Sequence, residues 1–218
     1  MVIKGVPLQN TLTCILAGGQ SRRMGGGDKT LLSLGGHTML AQILERVRDQ
    51  SHKIILNANN AAERFEDYGL PVVSDAIEGF LGPLAGLLSA MTYAKQHSPE
   101  ITHIITVSSD SPFLPIDLID RFCTSTPVAT PVLALASSRE RLHPVFGLWP
   151  ISLESDLRSW LQQGKTGKVL AWADRHDSIE ISFPDDPDTG LDPFFNVNTP
   201  EDLDTARRMV GVASRLDL

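Results

Sequence analysis

Leu12-Thr13-Cys14-Ile15-Leu16-Ala17-Gly18-Gly19-Gln20-Ser21-Arg22-Arg23-Met24-Gly25-Gly26-Gly27-Asp28-Lys29 is the stretch that decides the fold class. The run Leu12 to Leu16 is apolar and of strand length, and the residues that follow it carry five glycines and three cations. Glycines let a backbone approach a ligand and aim several N–H groups at one anion, while Arg and Lys neutralise phosphate charge from the side. A buried strand that empties into such a loop reads as a polyphosphate cradle at the carboxyl edge of an α/β sheet. A flexible turn with solvated basic residues would explain the glycines or the cations alone, but not their clustering just after strand one. Two better-known cradles fail here. The P-loop pattern needs Gly directly before the Lys, where Asp28 stands, and G-x-G-x-x-G does not occur in register.

Working outward, apolar periodicity predicts alternating helices and strands. Thr38 caps a helix with Leu40, Ile43, Leu44 and Val47 on one face, and Lys53 to Leu56 is a second strand. Val72 and Val73 make a short third strand, Pro83 opens a helix carrying Leu84, Leu87, Leu88 and Met91, and Ile104 to Val107 is a fourth strand. Strand and helix in alternation imply a parallel sheet. Farther on, Val132 to Leu135 and Val145 to Leu148 are strand candidates joined by a turn at Ser138-Arg139-Glu140-Arg141, which predicts a small antiparallel addition. Ser152 to Leu161 and Lys168 to Arg175 read as helical, and Thr199-Pro200-Glu201-Asp202 places a capping Thr and a first-turn Pro before a final helix. The linker-like run Pro184 to Gly190 is too short to separate domains, so residues 1–218 are expected to form one domain.

Composition narrows the class of function. The net charge is 19 − 26 = −7, which opposes a general nucleic-acid or anionic-membrane binder, since those need a basic surface. Phe122 to Ser138, as long as any uncharged stretch in the chain, is broken by Pro127 and Pro131 and cannot supply the ~20 apolar residues of a membrane span. The opening residues lack the apolar core of a secretory signal. Cys14 and Cys123 lie far apart in apolar surroundings, as buried thiols of a reducing cytoplasm do, and a cytoplasmic location is expected. The six histidines show no metal-ligand spacing, and there is no Gly-x-Ser-x-Gly elbow, so zinc chemistry and serine hydrolysis fit poorly.

The pattern Leu16-Ala17-Gly18-Gly19-x-Ser21-x-Arg23-Met24-Gly25-x-x-x-Lys29 resembles the signature of the molybdenum cofactor guanylyltransferase family, within the wider nucleotidyltransferases. The likeness continues through Asn57-Ala58-Asn59, Asp75, Gly82-Pro83-Leu84-Ala85-Gly86 and Ser109-Asp110-Ser111-Pro112, and ends at Asn196-Val197-Asn198-Thr199-Pro200-Glu201-Asp202-Leu203. The resemblance implies a three-layer, Rossmann-like nucleotidyltransferase fold, with residues of about 11–110 binding nucleotide and about 111–205 binding the acceptor. It implies that GMP passes from GTP to the terminal phosphate of molybdenum-carrying molybdopterin, releasing pyrophosphate, with magnesium as cofactor or manganese in its place.

Residue by residue, the resemblance implies that Leu16, Ala17, Gly18 and Gly19 contact the guanine nucleotide, joined by Asn57 and Asp75. Related cytidylyltransferases usually carry Ala at the position of Gly18, a difference that favours GTP, although one methyl group discriminates by only ~1 to 3 kcal/mol. Lys29 and Arg23 would hold the triphosphate and stabilise the departing pyrophosphate, Asp110 would ligate the metal, and Asn196 and Asn198 would meet the pterin substrate. Lys165, Lys168 and Arg175 are either a surface for the pterin phosphate or ordinary solvated charges, and His143-Pro144 matches a family feature with no chemical role attached. A cytidylyltransferase and a sugar- or alditol-phosphate nucleotidyltransferase remain the rival enzymes. A regulatory module that had lost catalysis would have no need of Lys29, Asp110 and Asn198 together. GTP and the molybdopterin acceptor are thus the expected partners, with transient contact to molybdenum-insertion proteins or client molybdoenzymes beyond them. A ligand at about 100 times its Kd adds roughly 2.7 kcal/mol to stability. For a chain of this size that raises Tm on the order of 5 to 10 °C. Thermal melts with magnesium should therefore show such a shift for GTP and none for CTP, ATP or UTP; no shift with any nucleotide would contradict the cradle.

Overall fold

The computed structural model describes residues 4–17, 29–59, 62–77, 79, 82–186 and 190–216, with side chains as far as residue 210. Its centre is a seven-stranded sheet in the order β5-β4-β1-β6-β8-β7-β9. The strands are β1 (Thr11–Leu16), β4 (Ile54–Asn57), β5 (Val72–Val73), β6 (His103–Ser108), β7 (Leu133–Ser138), β8 (Arg141–Pro150) and β9 (Ser178–Ser182). A separate two-stranded hairpin pairs β2 (Ser33–Leu34) with β3 (His37–Thr38) through Gly35 and Gly36, whose φ of 63° and 89° lie in the left-handed region that a two-residue turn requires.

Alternation along β1 explains the layering. Leu12 and Cys14 point into a cluster with α2 (Pro83–His97), α4 (Glu154–Gln162) and α5 (Val169–Ala173). Ile15 points the other way, into a cluster with α1 (Met39–Arg48) and α3 (Leu118–Ser125). A third cluster joins Leu34, Met39 and Val197 to Leu203 and Ala206 of α6 (Pro200–Leu216). Helices on both faces of a mostly parallel sheet are the expected three layers. Both cysteines are free and buried; burial pushes the Cys14 thiol far up and Cys123 to about 11, which leaves neither as a thiolate nucleophile.

The antiparallel addition that the sequence predicts is present and is built into the sheet. β8 lies inside it, antiparallel to both β6 and β7, while β9 returns parallel to β7 at the edge. The cause is the predicted turn: Arg139 and Glu140 both adopt positive φ, 48° and 59°, and fold the chain back in two residues. That conformation is unfavourable for residues with a Cβ. Arg139 offsets the cost with a bidentate pair to Asp185 at 2.8 and 2.9 Å and a bond to the Gly190 carbonyl. Two helix caps occur as the sequence predicts: Thr38 Oγ1 accepts from Ala41 N, and Thr199 Oγ1 accepts from Asp202 N.

Gly82, at φ 72°, precedes Pro83, and the first turns of α2 press Gly86 onto the ends of β1 and β4. A Cβ on Gly86 would overlap Asn57 Oδ1 and stand 2.5 Å from Leu16 Cδ2. Gly to Ala inside a helix ordinarily stabilises by about 1 kcal/mol, whereas overpacking costs ~1 to 3 kcal/mol. Here the steric term should win. Gly86→Ala is expected to lower Tm by several degrees in a calorimetric melt, and an unchanged or higher Tm would show that α2 has room to retreat.

Candidate functional site

Strand register builds the site. Leu16 pairs with Asn57 on one side and Ser108 on the other, and Asn57 pairs with Val73, so four parallel strands end in one row. The residues just beyond that row, Ala17, Asn59, Asp75 and Asp110, therefore gather at a single carboxyl edge. Backbone bonds hold the row past the strand ends: Ala17 N donates to Asn57 O at 2.8 Å, Ala58 N to Val73 O at 3.1 Å and Ser109 N to Leu16 O at 3.1 Å.

On the β6 side, Lys29 Nζ donates to Asp110 Oδ2 at 2.8 Å and to Asn198 Oδ1 at 2.9 Å. The ion pair is largely sheltered, with side-chain exposures of 15% and 21%. Ser108 Oγ donates to the other carboxylate oxygen of Asp110, and Thr30, next to Lys29, donates to Ser109 Oγ. Asp110 caps no helix, because α3 begins at Leu118; its main-chain carbonyl instead accepts from Val197 N at 2.8 Å. Val197 is fully buried while Asn196 and Asn198 are exposed, as side-chain alternation in an extended segment requires. Asn196 Oδ1 accepts from Ser111 Oγ, and Asp202 accepts from the amides of Asn198 and Thr199, which completes a reciprocal cap on α6. Those amide donors hold the Asp202 carboxyl below its ordinary range.

On the β4–β5 side, Asp75 is fixed by two amides: Asn57 Nδ2 donates to Oδ1 at 3.0 Å and Asn59 Nδ2 to Oδ2 at 2.6 Å. Asn59 Oδ1 accepts from Asp75 N at 2.9 Å in return. Asn57 is itself buried, and its amide also donates to Val73 O. Each carboxylate oxygen keeps a second acceptor direction for a ligand.

Lys29, Asp110, Asn196 and Asn198 thus lie together, and Asn57 and Asp75 lie together across the end of β1, where Leu16 and Ala17 stand between them. Gly18, Gly19 and Arg23 lie outside the described residues. Of the basic trio, Arg175 is drawn toward α4, meeting Asp156 Oδ1 at 3.3 Å and lying 4.9 Å over the Trp160 ring. Lys165 and Lys168 are exposed on the loop whose Gly167 carbonyl adjoins Gly82 at the head of α2. Sequence reasoning missed Asn59, Ser108 and Ser111, although all three sit inside or beside motifs already singled out; a search for side chains able to reach the neighbouring carboxylate or amide would have found them. Among the described residues no group of three or more His, Cys, Asp or Glu could hold a metal by itself. What fits a metal is an oxygen pair: the ammonium of Lys29 stands on Asp110 Oδ2 and Asn198 Oδ1, a position where two oxygen donors already hold a cation, and oxygen donors suit magnesium or manganese.

Known proteins resemble this chain in sequence and in fold. A molybdenum cofactor guanylyltransferase of Mesorhizobium japonicum is 45% identical over 196 residues, covering 90% of this chain and 94% of that protein. The molybdopterin-guanine dinucleotide biosynthesis protein A of Archaeoglobus fulgidus shares the fold at TM-score 0.72 and 21% identity, over 92% of this chain and 98% of that one. A Mycobacterium tuberculosis protein solved as a manganese complex superposes at TM-score 0.65 and 19% identity, over 91% and 98% of the two chains. The model of the MobA-like NTP transferase domain matches residues 13–179, so the row of strand ends that carries the site lies within it and the chain belongs to that family.

Proposed function

We propose that this chain transfers GMP from GTP to the terminal phosphate of molybdenum-carrying molybdopterin, giving the guanine dinucleotide form of the cofactor. The observation that carries the reading is the Lys29 ammonium held between Asp110 and Asn198 at the carboxyl edge of the sheet, on the other side of β1 from Asp75. The guanylyltransferase name borne by a relative of 45% identity supports the choice of base and acceptor.

In the reaction an oxygen of the acceptor phosphate bonds to the α-phosphorus of GTP, and the bond from that phosphorus to the bridging oxygen breaks as pyrophosphate leaves. The attacking phosphate is anionic at pH 7, so no general base is required and no covalent intermediate forms. Catalysis then rests on in-line positioning and charge neutralisation. Asp110, with Asn198 beside it, would hold magnesium or manganese, which when bound neutralises charge on the phosphates. Lys29 turns its ammonium toward the triphosphate, and Arg23 lends a second cation to the pyrophosphate. Asp75, oriented by Asn57 and Asn59, accepts from guanine N1 and the exocyclic amine. Residues of about 11–110 then form the nucleotide half and about 111–205 the acceptor half.

Product analysis tests this directly: molybdenum-loaded molybdopterin with magnesium should yield the dinucleotide from GTP, whereas CTP alone as productive donor would make the chain a cytidylyltransferase. Asp110→Ala should cut turnover by at least about a hundredfold while the protein remains folded by circular dichroism. Lys29→Met should lower kcat far more than it raises the KM for GTP, and an unchanged kcat would remove Lys29 from the chemistry. Asp75→Asn should erase the preference for GTP over ATP, a change of about 10- to 100-fold in the kcat/KM ratio; a retained preference would exclude Asp75 as the base reader.

A further inference from the structure

His143 is buried on β8 and takes no part in the machinery above. Its Nε2 lies 2.7 Å from Ser138 Oγ, which donates at 2.7 Å to Asp192 Oδ1; that same oxygen accepts from Phe194 N at 2.9 Å. A carboxylate only accepts and a hydroxyl donates once, so Ser138 spends its proton on Asp192 and His143 donates from Nε2. Burial lowers the pKa of His143, and the neutral ring with its proton on Nε2 already supplies the one donor that Ser138 Oγ accepts. The imidazole also packs on Phe194, with ring centroids 4.6 Å apart, and Phe194 in turn meets Phe146 and Phe183. Two residues beyond Phe194 begins Asn196-Val197-Asn198, whose far end is tied to Asp110 and Lys29.

We propose that His143, Ser138 and Asp192 are positioning residues that clamp the near end of the segment 192–198, so that Asn196 and Asn198 are presented to the acceptor. The turn at Asp192 is held by Phe195 N donating to Asp192 O, and the clamp fixes where that turn sits against the β7–β8 hairpin. Without it the segment keeps its anchors at Val197 and Asn198 but gains freedom at Asp192. The guanine side, built on β1, β4 and β5, shares none of these contacts, and on the triphosphate side Lys29 and Asp110 keep their bonds to Asn198 and Val197. The clamp therefore acts on acceptor binding and leaves GTP binding alone. This inference rests on the reading of Asn196 and Asn198 as acceptor-facing.

Two substitutions separate packing from hydrogen bonding. His143→Phe keeps a ring against Phe194 and loses the donor to Ser138, and His143→Gln keeps an amide donor. Hydrogen exchange reads the clamp without any acceptor: His143→Phe should lose protection about tenfold at the Phe194 and Phe195 amides, which donate to Asp192, with Val197 and with Ile105 and Val107 of β6 unchanged, and His143→Gln should recover most of it. Unchanged exchange in His143→Phe would overturn the clamp. In steady-state transfer, His143→Phe and Ser138→Ala should each raise the KM for molybdopterin about tenfold with the KM for GTP within twofold, and the double variant should be no worse than either. Acceptor and GTP KM values that stay put, or rise together, would overturn the positioning role. A wild-type protein that makes no dinucleotide from GTP would fail the proposed function instead, and the exchange experiment would still decide whether the clamp exists.

Discussion

Lys29 is the meeting point of three distant parts of the chain. Its ammonium reaches Asp110, 81 residues away, and Asn198, 169 residues away, so the loop after β1, the loop after β6 and the approach to α6 converge on one positive charge. None of these contacts is local, and each depends on strands that end level with one another. That level ending is a consequence of register: one row of paired residues, Val73, Asn57, Leu16 and Ser108, fixes the height from which every neighbouring functional side chain projects. Shifting a strand by one residue would turn Leu16 and Asn57 to the opposite face of the sheet.

Around this centre the supporting groups are arranged so that no site carboxylate stands alone. Asp110 has Lys29 and Ser108, Asp75 has Asn57 and Asn59, and Asp202 has the amides at the start of α6. Each arrangement fixes an oxygen acceptor in direction before any ligand arrives, which is the condition for electrostatic stabilisation at low reorganisation cost. The small residues serve the same end by a different route. Gly86 lets the first turns of α2 lie against Asn57 and Leu16, where a single methyl group has no room.

Much of this was legible in the sequence because the informative residues follow apolar runs of strand length. The buried run of β1, the caps at Thr38 and Thr199 and the turn at Arg139-Glu140 all rest on local rules, and local rules survive folding. Other features escaped, the β2–β3 hairpin among them. β9 carries only Ile179 and Ile181 among five residues, too weak an alternation to stand out, and it is fixed by pairing with β7. The insertion of β8 between β6 and β7 is a matter of long-range pairing that no window of sequence contains. The approach of His143 to Ser138 and Asp192 joins residues 54 positions apart across a hairpin, so only the folded chain shows why an imidazole stands there.

The proposed function lays a nucleotide across the end of β1, with its base toward Asp75 and its phosphates toward Lys29 and Asp110. The most direct measurement is a crystal structure of the protein with a non-hydrolysable GTP analogue and manganese, with the metal located by its anomalous scattering. The account predicts guanine against the Asp75 carboxylate, the triphosphate on Lys29 and the manganese signal at Asp110. A nucleotide bound with its base away from Asp75 and the metal away from Asp110 would contradict it.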